Sequence, residues 1–160
     1  MRIVIDTNIF VSYLITPGGL LNRLIETWVR TRSLEVYTSE WQIDELKRVC
    51  GYDRIKDRVS PKQVQALVTL LRRHAVIVAP RRVPRVSPDR DDDYVIAIAL
   101  EANTSALVSG DNGDLLVLKT VQGVSIITPR VLLGRLKPKK KRLKDPKGLV
   151  AKTKKPAKKR

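Results

Sequence analysis

A chain of 160 residues with one cysteine, Cys50, has room for one domain with its own core and can form no internal disulfide. Asp6 interrupts the first apolar run before a secretory leader could form, and no stretch approaches the roughly 18 apolar residues of a membrane span, so a soluble, cytoplasmic protein is expected. The net charge of +16 is uneven: residues 137–160 hold 13 Lys/Arg against one acid, Asp145, whereas residues 1–136 hold 19 against 15.

In chain order, Ile3 to Ile5 predict a buried strand, short and β-branched. A helix is expected from about Asn8 to Leu14, broken by Pro17, Gly18 and Gly19. Leu20, Leu21, Leu24, Ile25 and Trp28 recur at helical spacing, and Glu35 to Tyr37 suggest a second strand. Ser39 with Gln42 three residues on has the pattern of a capping box, ahead of a helix with Ile43, Leu46 and Val49 on one face. Ser60 and Pro61 start another helix, and Ala75 to Val78 read as strand. After a Pro- and Arg-rich loop from Pro80 to Pro88, a helix runs from Asp91 to about Asn103, with acids in its first turn. Ala106 to Val108 predict a strand, and Asp111 to Leu118 a turn and short helix. Val124 to Ile127 predict the last strand and Pro129 to Leu136 the last helix. This alternation implies a three-layer α/β/α domain over 1–136 with a central, mainly parallel sheet. Sites in such sheets form beyond the carboxyl ends of the strands.

Two strands end in an acid there, Asp6 and Asp111. Asp6 alone reads equally well as a helix N-cap, and Asp111 as part of a turn with Asn112 and Gly113. Asp89, Asp91, Asp92 and Asp93 form the densest acidic cluster, and most of it suits a helix N-terminus. It is no calcium loop, because Tyr94 stands at the glycine position and Leu100 at the bidentate glutamate. Asp93 shares a face with Ala97 and is expected to aim inward. Glu45, taken alone, reads as a helical surface residue. Carboxylates that converge repel and raise one another's pKa, a cost that a hard divalent cation removes. His74 and Cys50 offer no zinc set and are expected to serve helix end and packing.

The segments IVIDTNIF, DELKRV, DDDYVIAIAL and ALVSGDNGDLL, in this order, resemble the PIN-domain nucleases. The resemblance is greatest to VapC-like toxins of toxin–antitoxin pairs and covers about residues 2–136. It implies Asp6, Glu45, Asp93 (rather than Asp91 or Asp92) and Asp111 as catalytic, metal-binding acids, with Asp114 a fifth, its spacing lengthened by Gly113. Thr7, Asn8 and Ser109 match polar positions that support the acids. It further implies Mg²⁺- or Mn²⁺-dependent cleavage of RNA, an antitoxin partner and a homodimer.

Acids alone repel RNA, so basic residues are needed to steer it. Arg81, Arg82, Arg85 and Arg90 precede Asp93 in the loop and are candidates for phosphate contacts. The 137–160 tail, with Lys139, Lys140, Lys141 and Arg142, lacks an apolar face and is expected to be disordered. Its charge suits salt-sensitive phosphate binding. Two other readings fit the same residues: a PIN ribonuclease of RNA processing without an antitoxin, and a non-catalytic RNA-binding module.

Overall fold

The computed structural model describes residues 1–110 and 113–136. Its elements are β1 (Arg2–Ile5), α1 (Thr7–Ile15), α2 (Gly19–Arg30), β2 (Glu35–Thr38), α3 (Glu40–Cys50), α4 (Asp53–Lys56) and α5 (Pro61–His74). They continue with β3 (Val76–Ile77), α6 (Arg90–Glu101), β4 (Ala106–Val108), α7 (Leu115–Leu118), β5 (Thr120–Val121), β6 (Val124–Ile127) and α8 (Pro129–Leu136). The sheet order is β3-β2-β1-β4-β6-β5. All neighbours are parallel except β5 with β6.

Alternation along the strands sends successive side chains into two cores. Ile3, Ile5, Val36, Ala106 and Val108 join helices α1, α2, α3, α5 and α8 on one face. Val4, Tyr37, Leu107 and Ile126 join α6 and α7 on the other. The expected three-layer architecture is therefore present, with β1 at its centre. The first strand pairs β2 on one side and β4 on the other, so Asp6 and Ser109 leave the sheet side by side. His74 closes α5 with its ring edge-on to Trp28, and Cys50 is buried, both as expected.

Two small elements were not expected. The four-residue α4 is too short for periodicity to reveal. The β5–β6 hairpin turns on Gln122 (φ 46°) and Gly123 (φ 88°), a tight reversal of positive-φ residues joining two-residue pairing.

The capping box falls elsewhere than expected. Ser39 does accept the Gln42 backbone N–H at 3.2 Å. The Gln42 side chain turns inward instead of back: it donates to the Ile5 carbonyl at 2.8 Å and accepts from the Thr38 hydroxyl at 2.7 Å. A buried strand-end carbonyl needs a donor, and Gln42 supplies one. The reciprocal box forms at Ser60 and Gln63, ahead of Pro61.

Candidate active site

The crevice opens where β1 and β4 end and α3 and α6 begin. Asp6 occupies the N-cap position of α1 with extended backbone, yet its carboxylate makes no capping hydrogen bond. The Ser109 hydroxyl donates to Asp6 Oδ2 at 2.7 Å. Ser109 is itself held by its N–H to the Ile127 carbonyl at 3.0 Å. Asp6 is only 4% exposed. Burial pushes its pKa up from 3.8 to about 7. Ser109 and the Asn8 backbone N–H pull it down, while the charges of Asp92 and Glu45 push it further up. The Asn8 side chain is exposed.

Glu45 is no ordinary surface glutamate. Its side chain is 10% exposed, and the buried Thr7 donates its hydroxyl to Glu45 Oε2 at 2.7 Å. Burial again raises its pKa, with Asp91 and Asp89 adding to the rise and Thr7 and Arg48 opposing it. Thr7 thus ties the start of α1 to α3, and Gln42 Nε2 approaches the same hydroxyl at 3.5 Å. Thr7 and Ser109 each grip one acid.

The acids of α6 divide by role. Asp89 is the cap, its side chain accepting the Asp91 N–H at 2.9 Å. Asp91 is half-buried and turned toward Arg48, which bridges it (3.2 Å) to Glu45 (3.8 Å). Asp93 aims inward as expected, at 2% exposure, but toward the preceding loop. Its Oδ1 accepts the backbone N–H groups of Val86 and Ser87, each at 3.0 Å, and its Oδ2 lies 3.5 Å from Arg90. Asp92, half-buried and held by the Ser87 hydroxyl at 3.0 Å, is the acid of this cluster whose charge bears on Asp6. Where Asp93 was the acid expected at the crevice, the structure sets its Oδ1 against the loop amides and puts Asp92 where its charge reaches Asp6.

Asp111 lies outside the described residues, as do Lys139, Lys140, Lys141 and Arg142. Asp114 stands at the N-cap of α7 without capping it. Among the described residues, no three His, Cys, Asp or Glu side chains cluster closely enough to hold a metal ion.

The four loop arginines also separate. Arg81 is engaged with Glu101 through both its backbone N–H (3.3 Å) and its Nε (3.1 Å). Glu101 ends α6, eight residues and about 12 Å along the axis from Asp93. Arg81 thus turns to the far end of α6, and Arg82 lines the same cleft. Arg85 is exposed. Arg90 is nearest the acids, donating to the Pro84 carbonyl at 3.1 Å with its guanidinium over the Tyr94 ring. Sequence reasoning missed Arg48, whose signal was its place one helical turn after Glu45, and Gln42, whose capping pattern concealed a buried bridge.

Comparison with known proteins bears on this arrangement. The PIN domain family matches residues 2–113. The chain is 27% identical over 120 residues to the uncharacterized protein MJ1680 of Methanocaldococcus jannaschii, covering 74% of this chain and 76% of that one. Its fold is similar to that of VapBC2 from Rickettsia felis, solved bound to a DNA fragment from their promoter. That match has TM-score 0.56 and 12% identity, and covers 80% of this chain and 98% of that one. It is also similar to the PIN domain endonuclease Utp24, with TM-score 0.50, 12% identity and coverage of 79% and 84%. At these identities the likeness to solved structures is one of fold.

Proposed function

Because the chain belongs to the PIN domain family, whose members are generally nucleases, we propose that it is a metal-dependent endoribonuclease, the toxin of a cytoplasmic toxin–antitoxin pair. One observation supports this above the others. Asp6 sits where a helix cap belongs, yet makes no capping hydrogen bond and feels the Asn8 N–H only weakly; it is buried against the Ser109 hydroxyl while Asp92 and Glu45 raise its pKa. A carboxylate placed only for structure would be given its donors, as Asp93 is.

The donor set suits a hard cation. Asp6, Glu45 and Asp92 offer oxygen alone, and their mutual repulsion is what a divalent charge relieves. Mg²⁺ or Mn²⁺ would be held by Asp6 with Asp92 or Glu45, and by Asp111, which follows β4 in the sequence, with Asp114 close behind in the chain. When bound, the cation lowers the pKa of a water and neutralises charge on the phosphate. The chain's own residues do the rest. Ser109 aims Asp6, and Thr7 aims Glu45. The raised pKa of Glu45 suits it to hold a water and take its proton. Arg48, on the rim, exchanges its carboxylate partners for a substrate phosphate.

An antitoxin partner is the reading favoured by the VapC-like motifs and by the fold of VapBC2. An adjacent small reading frame whose product binds this chain would support it, and light scattering of the purified protein tests the expected homodimer. The decisive experiment is cleavage of end-labelled RNA with Mn²⁺ by wild type, Asp6→Asn and Asp92→Asn. Cleavage by wild type alone, abolished by chelation, supports the reading. Equal cleavage by all three, or RNA binding without cleavage, overturns it in favour of another site or a binding module.

A further inference from the structure

Beside the acids lies a feature that metal chemistry does not use. Trp41, in the first turn of α3, stacks on Tyr94, at the start of the second turn of α6, with ring centroids 4.5 Å apart and planes 16° from parallel. The pair bridges the carboxyl edge of the sheet. The Arg90 guanidinium sits 5.5 Å from the Tyr94 centroid. Both rings line an open cleft of about 330 Å³, with Ile77, Ala79, Pro80 and Val83 opposite.

The cleft adjoins the crevice. Trp41 precedes Glu45 by four residues on one helical face, roughly 6 Å along the axis. The cleft's other wall is the edge strand β3. The Val78 N–H donates to the Thr38 carbonyl at 2.8 Å, so by alternation the peptide groups of Ile77 and Ala79 face away from β2. An aromatic surface, outward amides and the exposed Arg85 and Arg90, the latter over the Tyr94 ring, suit a flat, hydrogen-bonding ligand joined to a phosphate chain.

We infer that this cleft is a nucleobase subsite: an unpaired base of single-stranded RNA stacks on Trp41 while a neighbouring phosphate lies among the acids. The inference rests on the ribonuclease reading and deepens it, because a base can enter the cleft only when unpaired. Apolar lining alone would equally suit an extended peptide added to β3. The position next to the acids and the cationic loop favour the nucleotide.

The test uses the full chain carrying Asp6→Asn, so that RNA stays intact, and a short unstructured RNA in which an abasic nucleotide is placed at each position in turn. The chain's other tryptophan, Trp28, is buried in the core, so fluorescence quenching by RNA reports on Trp41. Saturable quenching is expected, lost when one particular position is abasic. Trp41→Ala should weaken binding by about 5- to 150-fold, Trp41→Phe much less, and Trp41→Ala should cost nothing further on the abasic RNA. Binding without quenching, or losses from Trp41→Ala and the abasic position that multiply, overturns the subsite. Because the quenching arm leaves Trp41 intact, a variant that fails to fold does not decide the matter. Wild-type cleavage, followed in parallel, separates the two readings. Cleavage with a flat abasic scan sinks the subsite and leaves the nuclease. A position-specific quench without cleavage does the reverse, and no RNA binding at all sinks both.

Discussion

The exit of β1 and the first turn of α6 each bury an aspartate almost completely, and the two are treated in opposite ways. Asp93 is given two backbone donors and a nearby guanidinium. Asp6 is given the Ser109 hydroxyl, a weaker pull from the Asn8 N–H and the repulsion of two other acids. Burial therefore does not distinguish a carboxylate that holds a loop from one kept available for a ligand; the partners do. A buried carboxylate that accepts several N–H bonds contributes to folding, and one without them is a cost to the fold.

The largest expected effect breaks the comparison at the level of chemistry. Asp6→Asn should lower metal-dependent RNA cleavage by about 10³-fold or more, the loss of several kcal/mol of transition-state stabilisation. Asp93→Asn keeps one carbonyl acceptor for the loop amides and should lose far less. Equal losses from both would mean that the loop held by Asp93 belongs to the chemistry.

The second effect is on stability. With Asp6 raised from 3.8 to about 7, the unfolded chain gives up this proton at lower pH than the folded chain. The metal-free protein should thus lose stability as pH rises from about 4 to about 7 and level off above, by an amount on the order of 4 kcal/mol. Asp6→Asn should remove most of this slope, leaving the part contributed by the raised Glu45. Added Mg²⁺ should restore wild type at pH 8, by about 2.7 kcal/mol at 100-fold excess over its Kd, and leave the variant nearly unmoved. Denaturant melts across pH check both. A wild type whose stability rises through this window would remove Asp6 as the cause.

Asp93 gives the opposite result in the third comparison. Asp93→Ala strands the Val86 and Ser87 N–H groups and should cost about 2–3 kcal/mol. Hydrogen exchange should quicken at those two amides first. If stability falls without any change at these amides, the loop is held by something else.

These contrasts show where reading the chain succeeds. The strand-and-helix order was legible because each buried strand is a short β-branched run and each long helix repeats its apolar face, so local pattern and global packing agree. Asp6 was legible as a strand-end acid. The role of Glu45 was visible only by resemblance, because its burial comes from Thr7, 38 residues away. The choice between Asp92 and Asp93 could not be made by periodicity. Adjacent helical residues point about 100° apart, and only the return of the loop to Asp93 decides which one is left for the crevice. Gln42 shows the same limit: a local capping pattern lost to the need of a distant carbonyl.

The smallest expected effect examines Asp6 through its partner. The Ser109 hydroxyl is the largest influence lowering the Asp6 pKa, and it does so by donating to the charged form. Ser109→Ala removes that donor and little volume. The Asp6 proton should then be held more tightly, so the metal-free protein should go on losing stability to a pH above 7 before levelling off. Metal affinity should fall by about 10- to 100-fold, the usual cost of losing a group that orients a ligand. The two changes share one cause and should move together. If affinity falls while the levelling point stays where it was, Ser109 shapes the crevice without charging it. If neither moves, the hydroxyl serves the end of β4 alone, and the difference between Asp6 and Asp93 rests on burial and neighbouring acids.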